Sequence, residues 1–283
     1  MGTSSSSNGP GSGVPMVPPW ADNPPGNDGG NDDGNDGSND STGKNDNDNS
    51  PQSPKAPPPI APKSRFGSAR KSMGAFAGSG SQRDMQRGIG RYVSKGYGGA
   101  STATRRFSGT AHTAASLAGA LSSRARGAPG GTSVDIAFIQ GKSANEIMDV
   151  IVEAVSPING TQDNEAARES IKEALSELLD KQPDADLLEL NDISRDIVIE
   201  SFIAADVYRR ISLDIGKHIQ DNAPNATIGL QRLRQVKDYV RETVKNAFGK
   251  LKLSGRTLAS DRISNISEQA LLETFQVFEG YVK

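Results

Sequence analysis

Proline sets the limits on what this chain can build. Twelve of its sixteen prolines fall within the first 62 residues, together with ten of its thirty-one glycines. Proline removes a backbone donor and clashes with the preceding helical turn, so long regular elements must lie after that point. From Asp22 to Asn49 the sequence is almost entirely Asn, Asp, Gly, Pro and Ser. Such a stretch buries too little apolar surface to offset its conformational entropy. Residues 1–62 therefore read as a long disordered, solvated arm. Pro18–Pro19, Pro24–Pro25 and Pro57–Pro59 stiffen it locally toward polyproline II.

Charge divides the chain in the same places. The net charge of −2 is made of −6 over residues 1–62, +11 over 63–126 and −7 over 127–283, counted along the sequence. The expected organisation is a low-complexity arm (1–62), a basic Gly/Arg-rich, partly helical belt (63–131) and an all-helical domain (132–283). With no cysteine there are no disulfides, thiolate metal sites or thiol nucleophiles. No run approaches the ~18–20 apolar residues of a membrane span. A cytoplasmic protein with no membrane association is expected.

In the belt, Ser81 followed by Asp84 has the form of a helix start. Met85, Ile89, Tyr92 and Val93 then share one face. A second helix is expected from about Thr102 to Ser123, with Phe107, Ala111, Ala114, Leu117, Ala118 and Leu121 as a narrow stripe. In the domain, Ser143-Ala144-Asn145-Glu146 is a capping-box pattern, and Ile147, Val150, Ile151 and Ala154 after it share one face. Thr161 or Asp163 opens a long amphipathic helix that Pro183 stops. The most apolar stretch, about Ile193–Ile219, reads as one central helix with little wet face. Two more helices are expected, about Thr227–Phe248 with Leu230, Leu233, Val240, Val244 and Phe248 inward, and about Ile266–Tyr281. Only Val134–Ile139 resembles a strand. The fold class is all-α, a helical C-terminal domain behind a long disordered Asn/Asp/Gly/Pro-rich N-terminal arm.

No catalytic residue, metal site or cofactor is expected from the sequence motifs. Gly141-Lys142-Ser143 ends like a phosphate loop, but Ile136 stands where that loop needs its first glycine. His218 reads as a helix-end residue in contact with solvent. The acidic residues read as solvated faces. The belt offers Arg83, Arg87, Arg91, Arg105 and Arg106 for phosphates or for an acidic protein, so nucleic-acid binding stands beside protein contacts. In the arm, Val14-Pro15-Met16-Val17-Pro18-Pro19-Trp20 is a small apolar island holding the only tryptophan. Its prolines reduce the entropy lost on docking, which makes Val17, Pro18, Pro19 and Trp20 a candidate docking motif.

The start Gly2-Thr3-Ser4, the Gly9-Pro10-Gly11 turn, the Val14–Ala21 island and the stretch around Gly99–Leu121 resemble the QatB family of the Qat anti-phage defence systems. The resemblance implies a non-enzymatic component acting beside an ATPase, a QueC-like enzyme and a TatD-like nuclease, with the QueC-like protein as its natural partner. QueC-type chemistry activates a carboxylate with ATP and condenses it with an amine. The resemblance therefore marks the Gly2 amine, exposed once Met1 is removed, as a candidate site of modification.

Overall fold

Five side chains fix where helices begin. In the computed structural model, which describes residues 64–122, 141–254 and 263–282, Ser81, Ser143, Thr161, Asn191 and Asn225 each accept a hydrogen bond from the amide three residues on. Each satisfies a donor that the first turn leaves without a partner. Glu146 also reaches back to the Ser143 amide at 2.8 Å, completing the expected capping box.

The helices they open, and those without side-chain caps, run in this order: α1 (Gly67–Ser79), α2 (Gln82–Arg91), a π-helical segment (Tyr92–Gly96), α3 (Ala100–Arg106), α4 (Ser108–Ala120), α5 (Ala144–Val155), α6 (Gln162–Lys181), α7 (Asp192–Ile211), a second π-helical segment (Ser212–Gly216), α8 (Lys217–Asn222), α9 (Ala226–Leu253) and α10 (Ile263–Gly280). No strand occurs among the described residues; the Val134–Ile139 run lies outside them. The fold is all-α, as the periodicity implied.

Gly80 ends α1 in the left-handed region (φ 75°), its amide bonded to the Phe76 carbonyl at 2.7 Å. That turn folds α2 back on α1. Helix α7 is central: it packs against α6, α9 and α4, and Val198, Ile199, Phe202, Ile203 and Val207 are fully buried along it. α10 closes the other side against α3, α4 and α9. The boundary expected near residue 131 falls outside the described residues. On both sides of it, from Phe66 to Phe278, buried side chains join one hydrophobic core.

Several expectations are corrected. The helix expected over 102–123 breaks at Phe107 (φ −94°, ψ 13°), where α3 ends and α4 begins. The break turns the Phe107 ring toward Phe275, with centroids 5.0 Å apart. The Ile193–Ile219 helix is interrupted at Ser212, and one side of its first turns is wet, with Ile193 75% exposed. Leu230 points outward at 63% exposed. In α5 the buried face is Met148, Ile151, Val152 and Val155, with Ile147, Val150 and Ala154 only partly covered.

Candidate functional site

The unusual chemistry of this fold lies in its interior, in two polar clusters that tie residues 64–122 to α6 and α7. At the first, Asp206 is completely buried. It accepts a 2.5 Å hydrogen bond from the Thr110 hydroxyl of α4 and lies 3.2 Å from Nε of Arg210, one turn along its own helix. Arg210 extends to Asp163 of α6 at 3.3 Å, which Arg106 of α3 also approaches at 3.6 Å. The Arg210 guanidinium sits 4.8 Å from the centre of the Phe107 ring. Burial raises the Asp206 pKa above the ordinary carboxylate range, opposed by Arg210 and Thr110.

The second cluster joins the two π-helical segments. Tyr92 donates to Asp214 Oδ2 at 2.8 Å, and the Tyr92 and Tyr97 hydroxyls are 3.3 Å apart. Burial pushes Tyr97 up to about 12 and raises Tyr92 as well, so both stay protonated donors. Burial also raises Asp214. Arg70 of α1 donates twice to the Asp214 carbonyl, at 2.9 and 3.2 Å. Arg65, itself buried, places its guanidinium 4.4 Å from the Phe66 ring centre and 4.8 Å from that of Tyr97. A π-helical turn carries one extra residue and recurs at functional positions; here each such turn aims one member of the Tyr92–Asp214 pair.

A third, half-exposed cluster surrounds Glu173 of α6, which meets Arg209 at 2.7 Å, Lys237 at 2.8 Å and Arg241 at 3.6 Å. Arg241 also contacts Glu177. The acidic residues are expected on solvated faces. Asp206 and Asp214 overturn that, although one signal was present: an Asp–Arg pair at i, i+4 inside the most apolar helix. His218, one turn before the end of α8, is partly exposed and also packed. It lies against Gly74 of α1, and burial and then Arg70 lower its pKa. What the two clusters do is hold charged groups and phenols in fixed positions, with Asp206, Tyr92 and Tyr97 buried and Asp163 and Asp214 partly covered.

The sequence-predicted arginines fall on two helices. Arg83, Arg87 and Arg91 recur at i, i+4 and i+8 on α2. Arg83 is exposed, Arg87 sits 3.8 Å from Asp84, and Arg91 donates to the Ser72 hydroxyl at 2.8 Å. Arg105 and Arg106 end α3, with Arg106 turned to Asp163. Gly2, Val17, Pro18, Pro19 and Trp20 lie outside the described residues. Surface grooves of about 760, 510 and 340 Å³ lie at the junction of α6, α7 and α8, between α9 and α10, and among α6, α7 and α9. No cluster of His, Cys, Asp and Glu that could hold a metal ion occurs among the described residues, nor any helix long and apolar enough to cross a membrane.

Together these features define an all-α protein whose buried polar groups serve its architecture. The chain belongs to the QatB family: residues 98–278 match the family described as Qat anti-phage system associated protein QatB. The match runs from just before α3 into the last turn of α10 and includes the Gly99–Leu121 stretch. The comparisons with curated proteins and with solved structures give no match.

Proposed function

We propose that this QatB-family chain is a non-enzymatic, cytoplasmic component of its anti-phage system, acting as protein partner or N-terminal substrate of a QueC-like ATP-dependent enzyme. The observation that carries the reading is how the chain is divided. The family match covers a helical body whose buried Asp206 is committed to Thr110 and Arg210. The Gly2 amine and the Val17-Pro18-Pro19-Trp20 motif lie far outside it, in the Pro- and Gly-rich segment before residue 63.

An N-terminal amine with an ordinary pKa of about 7.7–8.0 is partly neutral, and so nucleophilic, near pH 7.5. In the proposed step the partner uses ATP to activate a carboxylate as an acyl-phosphate-type linkage. The Gly2 nitrogen attacks the acyl carbon, the C–N bond forms, the phosphate-bearing group leaves with the C–O electron pair, and the amine releases a proton to water. Val17–Trp20 dock outside the partner's pocket and hold Gly2 within it. The system's ATPase and TatD-like nuclease are further partners under this reading. Co-expression with the active QueC-like protein, followed by intact-mass analysis, is expected to show a mass gain confined to the peptide beginning at Gly2. An unchanged mass overturns the modification.

The Arg83–Arg87–Arg91 face of α2 supports a second reading, nucleic-acid contact with Arg105 and Arg106 contributing. Binding of that kind weakens steeply with salt as counterions are released; absent or salt-insensitive binding to DNA and RNA removes it.

A further inference from the structure

The groove between α9 and α10, about 510 Å³, is the most aromatic of the three, with Tyr239, Thr243 and Ala247 on one wall and Val277 and Tyr281 on the other. Tyr239 donates to the Tyr281 hydroxyl at 2.6 Å, and the two rings stand 6.3 Å apart, tilted by 57°. Their ring faces are thus fixed relative to each other. Val277 is 37% exposed, Tyr281 36% and Leu253, at the groove's end, 91%. The charged rim, Glu242, Glu273 and Lys250, leaves the apolar middle uncovered. Tilted aromatic rings beside a small apolar wall are what proline-rich segments dock against, because preformed polyproline II loses little entropy on binding.

We propose that in the free protein this groove is occupied by the chain's own Val14–Trp20 island. The island has the complementary chemistry: three prolines, apolar Val14, Met16 and Val17, and Trp20. No charged side chain occurs between Met1 and Ala21 to be stranded on desolvation. The tether is long enough. Forty-four positions separate Trp20 from Ser64, and a flexible chain of that length spans about 5–6 Å × √44, roughly 35 Å root-mean-square. Its attachment also lies near the groove. Phe66 stacks on Tyr92 at 5.0 Å. Gly90, two residues before Tyr92, is pressed against the end of α10, where an added Cβ would lie 3.4 Å from Tyr281 Cβ and 2.7 Å from the Phe278 carbonyl. A tethered ligand experiences an effective concentration in the millimolar range, so even a contact of millimolar affinity is substantially occupied. This docking needs no partner. It keeps the motif covered until a tighter site displaces it.

Trp20 is the only tryptophan, so tryptophan fluorescence reads the island alone. In the full-length protein its emission should be blue-shifted, and its acrylamide quenching several-fold weaker, than in a synthetic peptide of residues 10–24. Tyr281→Ser should return both to the peptide's values. Val277→Glu and Leu253→Glu, at exposed positions, should do the same with the helical circular dichroism unchanged. Peptide-like emission in the unmodified protein overturns the proposal. So does a blue shift that survives all three substitutions, which places the island elsewhere. A shift that grows with protein concentration assigns the groove to the arm of a second copy and overturns docking within one chain.

Discussion

Tyr92, the first residue of one π-helical segment, donates its hydroxyl to Asp214, the middle residue of the other, at 2.8 Å. One extra residue rotates the remainder of a helix by about 100°, at 3.6 residues per turn. The widened turns therefore decide which side chains meet between α2 and α7. Tyr92→Phe removes the donor and leaves a partly buried carboxylate with one bond fewer. The expected cost is about 1–3 kcal/mol, measured as a lower urea midpoint with unchanged slope.

The pH dependence comes from the direction of two shifts. Asp206 and Asp214 are both raised by burial, so between the unfolded and the folded values the native protein holds protons that the unfolded chain has already released. Their contribution to stability is fully present below the unfolded aspartate value of about 3.9 and is lost as pH rises through the higher folded values. Urea midpoints collected between pH 4 and 7 should show this as a downward component. Asp214→Asn, which keeps an oxygen for Tyr92, should make the slope less negative.

Arg210 tests whether the first cluster is a unit. Arg210→Met leaves Asp206 buried with Thr110 as its hydrogen-bond donor, and breaking such a pair costs about 3–5 kcal/mol. Joining it with Asp206→Leu removes both charges from the interior and should recover at least half the loss. Chemical denaturation of the single and double variants measures the coupling directly.

How much of this was legible depends on the range over which each signal acts. The caps at Ser81, Ser143 and Thr161 are local hydrogen bonds within four residues; the first two start helices where expected, and Thr161 is one of the two starts, Thr161 or Asp163, that the pattern allows. The stripe Phe107–Ala111–Ala114–Leu117–Ala118–Leu121 is buried throughout, because helical periodicity reports burial without any knowledge of the neighbour. The break at Phe107 was not legible. It arises from contacts with Tyr97, Phe275 and Arg210, which lie far away in sequence or on another helix. The π-helical segments were hidden for the same reason: no residue type encodes an extra residue in a turn that tertiary contacts stabilise. Leu230 and Ile193 carry the right period but fall where no helix covers them. The buried clusters were half visible, since Asp206 and Arg210 interrupt an apolar run at helical spacing. The partners Thr110, Asp163 and Tyr92 become evident only from the packing.

In the proposed division of labour the helical body carries the arm, and the arm carries the function. Deletion of residues 2–62, scored by phage plaquing on cells with the rest of the system intact, tests it most directly. The expected result is a helical protein that accumulates normally while protection is lost. Protection at the level of the full-length chain contradicts it.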